Sequence, residues 1–308
     1  MPGVPSFEDL RAGGKPALAR ALSAIERDPD DPNVVALLDQ AWAAPRAHVI
    51  GLTGPPGVGK STLTSVLIKS WRSKGATVGV IAVDPSSKRS GGALLGDRTR
   101  LATDPEDTGV FVRSMAARDR LGGLAGLTHA AMVLMRAVFD YVLVETVGVG
   151  QSETDVVRVA DTVVLCIQPG SGDSLQFMKA GIMEVPHIVL VTKADLGAAA
   201  QRARADVEGA LSLAEEQSDW TVPVLMASAT TGMGLTEMTV ALENRWSWLS
   251  VEERLALARR DQDQAWLEEA IRERFGRNGI KRLGGKLTDD TGSPFLRQAE
   301  LSKDLGRH

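Results

Sequence analysis

The amino-acid sequence predicts an α/β fold, a mostly parallel sheet flanked by helices, with helical extensions at the N- and C-terminal ends. Three observations carry this reading. Short apolar runs recur from His48 onward, most of them closed by a glycine-bearing or polar turn, and their near-continuous Val, Ile and Leu content suits strands buried on both faces. Longer amphipathic stretches separate the runs, as crossover helices between parallel strands require. The composition, 44% hydrophobic and 24% charged over 308 residues, is that of a globular chain rather than a disordered or fibrous one.

Taken in order, residues 7 to 44 carry helical periodicity in LARALSAIERD and VVALLDQAW, split by DPDDPN, which predicts two short helices around a proline-rich turn. This forms an N-terminal helical extension over residues 1–45. The strand runs are HVIGLT, TVGVIAVD, GVFVRS, YVLVET, TVVLCIQP, HIVLVTK and VPVLMAS. Between them, KSTLTSVLIKSWRSK, GLAGLTHAAMVLMRAVF and GAAAQRARADVEGALSLAEEQ are long enough to cover a sheet face as helices. Together these define a core domain over residues 46–245.

Residues 246–308 form a C-terminal helical arm and an irregular tail. SVEERLALARRDQDQAWLEEAIRERFG predicts a charged helix with Leu255, Leu257, Trp266, Leu267 and Ile271 as apolar-face candidates. It reads either as a helix packed on the core or as an association arm. The closing GGKLTDDTGSPFLRQAELSKDLGRH, rich in turn residues, reads as peripheral or partner-dependent.

Charge and cysteine usage exclude several function classes. The net charge is −4, the pI is near 5.7 and no block of five or more like charges occurs, so neither a nucleic-acid groove nor an anionic membrane patch is expected. Cys166, the single cysteine, lies inside TVVLCIQ, where a small core residue is expected and no internal disulfide can form. No stretch approaches the roughly 18 apolar residues of a spanning helix, and MPGVPSFEDL lacks the features of a secretory leader. The expectation is a cytoplasmic protein.

The segment GPPGVGKS, residues 54–61, follows a predicted strand and opens a predicted helix, the context in which a Walker A pattern becomes a phosphate site. Gly54, Pro55, Pro56, Gly57, Val58, Gly59, Lys60, Ser61 and Thr62 are the expected cradle. The glycines let successive N–H groups turn inward beside a helix N-terminus to form an anion nest. Lys60 is expected to reach the β and γ oxygens, and Ser61 to offer its hydroxyl to Mg²⁺. The chain is therefore expected to bind and hydrolyse a nucleoside triphosphate.

Carboxylates complete the expected chemistry. Asp84 ends the second strand run, where a side chain faces the ligand crevice, with a plain surface-turn aspartate as the alternative. Asp97, in GALLGDRTR, either completes the Mg²⁺ shell or belongs to a solvated loop in which Arg98 is its partner. Glu145 closes YVLVE, and the Gly148 N–H is placed to sense a γ-phosphate. Val149 follows and offers no group to orient water, so unassisted hydrolysis is expected to be slow. Gln151, Glu145 and Asp84 remain candidates to position that water.

Base selection is read from Thr192, Lys193 and Asp195 in HIVLVTKADL and from Ser228 and Ala229 in VLMASATTG. The Asp195 carboxylate can accept from guanine N1 and its exocyclic amine, whereas adenine offers no such donor pair. Lys193 is expected to stack its stem on the base, and the Ala229 N–H to meet the guanine carbonyl. Thr192 stands where Asn is usual; its hydroxyl can brace the P-loop but cannot contact guanine N7 in the same way, so somewhat weaker base affinity is expected.

With these residues in view, the chain resembles the MeaB/MMAA-like (ArgK-type) G proteins of the G3E group, SIMIBI-class P-loop GTPases. The resemblance rests on GLTGPPGVGKST, IAVDPSSKRSGGALLGDRTR, VETVGVGQSE and QPGSGDSLQFMKAGIMEV and spans most of the chain. It implies a GTPase chaperone for an adenosylcobalamin-dependent acyl-CoA mutase of the methylmalonyl-CoA mutase type, gating cofactor loading, protection or repair without binding cobalamin itself. It further implies Mg²⁺ held by Ser61 and Asp97, and an added switch from Gln168 to Lys179, for whose GSGDS segment a flexible turn is the alternative. An adenosyltransferase is a further implied partner, and a homodimer through the C-terminal arm is implied too. The glycines and proline of GIKRLGGKLTDDTGSPF depart from the helix the family pattern calls for there. The alternatives are a metallochaperone GTPase, for which His48, His129, His187 and His308 lack paired ligand spacing, a small-molecule kinase or transport ATPase, and a scaffold without hydrolysis.

Overall fold

The computed structural model describes residues 3–85, 104, 106–117, 126–146, 156–170, 186–212, 219–288 and 292–306, with Asp84, Pro85, Ala116, Ala117 and Gly126 described at the backbone alone. Its centre is a seven-stranded sheet of order β3-β2-β4-β1-β5-β6-β7 in which every neighbouring pair is parallel. The strands are β1 His48–Thr53, β2 Val78–Pro85, β3 Val110–Ala117, β4 Tyr141–Glu145, β5 Thr162–Ile167, β6 Ile188–Val191 and β7 Val224–Met226. Each apolar run of the sequence becomes one of them. All six residues of β1 and of β5 are buried, which is why these runs carry no polar alternation. Because β1 sits between β4 and β5, its carboxyl end opens where the strand order reverses, the usual ligand crevice of such sheets.

Three helices, not the expected two, precede the sheet: α1 Phe7–Ala12, α2 Gly14–Arg27 and α3 Pro32–Ala43. Periodicity missed α1 because it has a single buried residue, Leu10, and its start is marked instead by a Ser6/Asp9 capping box. Leu18, Leu22, Ile25, Val34 and Leu38 share a core with Met132 and Leu134 of α5 (Gly126–Val138), so this segment covers one sheet face. On the other face lie α4 (Lys60–Ser73) and α7 (Leu235–Leu249), with Leu63, Leu67, Trp71, Met238 and Leu242 inward. α6 (Ala198–Leu211) covers the β5–β7 edge through Ala200 and Val207.

The C-terminal region corrects the expected irregular tail. α8 runs over Arg254–Leu283 with non-helical backbone at Gly276, and after a short 3₁₀ turn α9 occupies Pro294–Gly306. Gly284, Gly285 and Gly292 punctuate these helices, and Pro294 sits at a helix start, where its missing N–H costs nothing. Phe295 enters the main core, and Leu267, Ile271, Leu283, Leu287, Leu301 and Leu305 form a cluster of their own. Of the expected apolar face, Leu267 and Ile271 are buried and Trp266 stacks on His129, but Leu255 is half-buried and Leu257 is exposed.

Buried ionic contacts tie α8 to the amino ends of the strands. Asp161 accepts two N–H bonds from Arg259 at 2.8 Å and one from the Val49 N–H, and Arg259 also reaches the Ala47 carbonyl at 3.0 Å. His48 Nε2 lies 2.7 Å from the Thr162 hydroxyl, His187 Nδ1 accepts the Val163 N–H at 2.9 Å, and His129 lies 3.2 Å from Asp263.

Burial pushes His48 down to about 4 and His187 down to about 3; it also lowers His129, against the opposing pull of Asp263. All three are depressed, so the unfolded chain takes up their protons first. Their stabilisation is complete above the unfolded value of roughly 6.5 and is lost as pH falls from there towards the folded values. Folding stability should therefore drop between pH 6.5 and 4, by up to about 1.4 kcal/mol per pH unit for each of His48 and His187, with His129 adding in the same direction. Urea denaturation across that range checks this; a flat profile is inconsistent with neutral buried imidazoles.

Candidate functional site

β1 delivers the chain into residues 54–59, and α4 begins at Lys60. Gly54 has φ +132°, and a Cβ there would lie 2.1 Å from the Cys166 carbonyl oxygen, so the loop passes against β5 where no side chain fits. Gly57 and Gly59 also have positive φ, at +74° and +101°. Lys60 is 6% exposed, and its ammonium donates to the Gly54 carbonyl at 2.6 Å and the Pro55 carbonyl at 3.1 Å, which curls the loop around it. No acidic residue occupies the first turn of α4, so its partial positive end is left for an anion.

A Gly54→Ala substitution combines a forbidden contact with an unfavourable φ. A loss of roughly 2–5 kcal/mol in stability is expected from strain and overpacking together. Nucleotide affinity should fall with it, because the loop must shift away from Cys166. Thermal unfolding with and without GDP tests this, and a variant that melts and binds as the parent does would refute the close approach.

Glu145, 8% exposed, stands at the carboxyl end of β4 in register with Leu52 of β1 and Ala82 of β2. It is gripped from α4: the Ser61 hydroxyl donates to Oε1 at 2.6 Å and the Thr64 hydroxyl to Oε2 at 3.0 Å. Thr64 was missed in the sequence. The signal was available in STLT, since three residues separate neighbours on one helix face, and a fully buried threonine there needs a polar partner. The backbone of Asp84 lies two residues past Ala82 on β2, paired with Ala116, at the same end of the sheet. Asp97, Gly148 and Gln151 lie outside the described residues, as does most of the segment from Gln168 to Lys179.

The residues expected to read the base collect at the carboxyl ends of β6 and β7. Lys193 adopts a left-handed backbone, φ +54°, and its ammonium donates to Gln168 Oε1. Asp195 is exposed in the 3₁₀ turn Ala194–Leu196, which is tied to the β7 loop by the Ala194 N–H donating to the Ala227 carbonyl at 3.1 Å. Ser228 is buried and holds its own turn, its hydroxyl oxygen accepting the Thr231 N–H and its N–H donating to the Met233 carbonyl; Ala229 follows, half-buried.

Thr192 departs from expectation. Its hydroxyl donates to the Ile167 carbonyl at 2.9 Å, so its proton braces the end of β5 and not the P-loop. Cys166, one residue earlier, is buried, and burial raises its thiol to about 12, so it is a packing residue.

Residues 54–61, the Ser61–Glu145 pair and the Asp195 turn thus lie at the same, carboxyl edge of the sheet. A family model described as methylmalonyl Co-A mutase-associated GTPase MeaB matches residues 18–281. The chain belongs to this family. It is a P-loop GTPase, a GTP-hydrolysing enzyme of the MeaB/ArgK type.

Among its relatives, a Pyrococcus horikoshii protein is 43% identical over 263 residues, covering 82% of this chain and 81% of that one. GTPase ArgK of Escherichia coli is 35% identical over 277 residues, covering 87% and 83%. A crystal structure of an LAO/AO transport system kinase superposes with a TM-score of 0.68 at 28% identity, covering 97% of this chain and 96% of that one.

No cluster of three or more His, Cys, Asp or Glu residues able to hold a metal occurs among the described residues. Ser61 and Glu145 suit Mg²⁺ nonetheless, since that ion takes one or two protein oxygens and completes its shell with phosphate and water. Among the described residues no helix is long and apolar enough to cross a membrane.

Proposed function

We propose that this GTPase is a Mg²⁺-dependent chaperone of an adenosylcobalamin-dependent acyl-CoA mutase of the methylmalonyl-CoA mutase type. Its GTP turnover would gate cofactor loading, protection or repair, and an adenosyltransferase is a second partner in that reading. The observation that carries it is the match over residues 18–281 to a family described by its association with methylmalonyl-CoA mutase.

In this reading, the loop N–H groups of residues 54–62, Pro55 and Pro56 excepted, and the Lys60 ammonium hold the β and γ phosphates. Mg²⁺, when bound, supplies charge neutralisation between those phosphates. Ser61 spends its proton on Glu145, which leaves its oxygen lone pairs for a metal and locks its rotamer. Glu145 then acts through Ser61 and Thr64, while Asp84 and Asp97 are the other carboxylates assigned to the metal shell. Gln151, with Asp84 and Glu145 as rivals, positions the attacking water, and the Gly148 N–H senses the γ-phosphate. Asp195, Lys193, Thr192, Ser228 and Ala229 recognise guanine. Slow turnover follows from Val149, which has no group to orient water, and a bound partner supplies the acceleration.

The test is GTP turnover with and without purified mutase, alongside size-exclusion chromatography of the mixture. A stimulated rate and a co-eluting complex are expected; an unchanged rate with no complex sinks the chaperone reading. The same columns report whether the chain alone is the proposed homodimer. The kinase name of the similar solved structure supplies a second reading, phosphoryl transfer from ATP. Equal turnover of ATP and GTP would favour it.

A further inference from the structure

Thr64 is fully buried on α4, where Leu63, Leu67 and Trp71 pack against the sheet. A position of that kind suits an apolar side chain. Valine would fill the same volume, and a hydroxyl there costs free energy unless it is paired. Helical serines and threonines can pair with the carbonyl four residues back on their own helix. Ser65, Thr239 and Ser247 do so, donating to the Ser61, Leu235 and Glu243 carbonyls at 3.0, 2.9 and 2.9 Å. Thr64 does not: its hydroxyl donates away from the helix, to Glu145 Oε2 at 3.0 Å.

The length of the Glu145 side chain gives that contact its purpose. A glutamate at the end of β4 has one more torsion to fix than an aspartate and more rotamer freedom to lose. The Ser61 hydroxyl, 2.6 Å from Oε1, fixes one oxygen and leaves the carboxylate free to turn about that contact. A donor on the second oxygen removes the rotation. Residues three apart are neighbours on one helix face, so α4 presents two hydroxyls, on Ser61 and Thr64, to the two oxygens of one carboxylate.

We infer, on the assignment of Ser61 and Glu145 to the Mg²⁺ site, that Thr64 is a positioning residue for GTP hydrolysis: it fixes the carboxylate that orients the Ser61 hydroxyl for the metal. Thr64 acts through Glu145 and Ser61. Groups that orient a metal ligand in this way commonly carry about 10–100-fold of the metal affinity.

The test uses full-length Thr64→Val, which keeps the shape and removes the donor, beside Thr64→Ser, which keeps the donor and removes the methyl. Binding of a fluorescent GDP is measured in EDTA and across a Mg²⁺ titration, and GTP hydrolysis in a single turnover at the Mg²⁺ concentration that suits the parent. Thr64→Val should bind GDP in EDTA within about twofold of the parent, require about tenfold more Mg²⁺ to reach its metal-bound affinity, and hydrolyse GTP slower by a similar factor. Thr64→Ser should restore both properties.

Ser61→Ala separates this inference from the assignment beneath it. If Ser61→Ala leaves the Mg²⁺ requirement unchanged, Ser61 is not a metal ligand and the assignment falls, taking the role of Thr64 with it. If Ser61→Ala raises the requirement and Thr64→Val does not, the assignment stands and only the role of Thr64 is overturned. Equal losses of GDP affinity with and without Mg²⁺, or no recovery in Thr64→Ser, would mark Thr64 as a packing residue and overturn that role as well. Should Thr64→Val not fold, Thr64→Ala takes its place; if neither folds, the hydroxyl serves the fold rather than the reaction, and the inference is overturned.

Discussion

Asp195→Asn is expected to turn this GTPase from guanine towards xanthine nucleotides. In the proposed reading, the carboxylate presents two acceptors to the two donors of guanine, N1–H and the exocyclic amine. An asparagine amide presents one acceptor and one donor, so its NH₂ faces the guanine amine, donor against donor. Xanthine carries a carbonyl at that position and accepts from the same NH₂. A site built to hydrogen-bond one edge rejects an analogue that leaves its polar groups unpaired by roughly 10⁴-fold, so a loss of about 10³ in kcat/KM for GTP is a conservative expectation. The fold should tolerate the change, since Asp195 is exposed in its 3₁₀ turn and the Ala194–Ala227 backbone bond holds that turn in place. Competition between GTP and xanthosine triphosphate measures the switch. If GTP binds the variant within threefold of the parent, Asp195 does not read the base.

Lys60→Ala should lower GTP turnover by about 10²–10³, the cost of removing one preorganised charge from a transition state, roughly 3–4 kcal/mol. A second loss follows from the contacts within the loop. The ammonium is the donor to the Gly54 and Pro55 carbonyls, and without it those inward-facing oxygens lose a partner in a buried setting. GDP affinity should therefore fall as well as the rate. Lys60→Arg is not expected to rescue either, because the position is 6% exposed and the broader guanidinium has no room to keep both carbonyl contacts. Single-turnover hydrolysis alongside GDP binding separates the two effects: a lowered rate with unchanged GDP affinity would leave the loop-bracing contribution at zero.

The two expectations differ in how openly the sequence displays them. Lys60 and its glycines are contiguous, and the requirement for them is local: φ values of +132°, +74° and +101° at Gly54, Gly57 and Gly59 need residues without a side chain wherever the loop is found. Asp195 belongs to a short pattern at a strand end, legible because the strand before it is unmistakably apolar. Thr64 was overlooked although it lies in the same helix as Lys60, since its partner Glu145 is 81 residues away and only packing of α4 against β4 joins them. Thr192 was read as able to brace the P-loop, whereas its hydroxyl donates to the Ile167 carbonyl of β5, a choice of partner that no motif encodes.

The C-terminal region shows the opposite limit. Gly284, Gly285, Gly292 and Pro294 are breakers in a local reading, and the tail they punctuate nonetheless forms a packed helix, α9, which carries Phe295 into the main core. By itself, the sequence determined the parallel α/β sheet, the phosphate loop and the family to which the chain belongs, because strand burial on both faces and backbone geometry at glycines are enforced within a few residues. Only the tertiary structure decided that Glu145 is held by Ser61 and Thr64 and that α8 is bolted to β1 through Asp161 and Arg259. Those arrangements hydrogen-bond side chains as many as 98 residues apart along the chain, and what selects them is the desolvation of charge in a folded interior, a cost that does not exist until the interior forms.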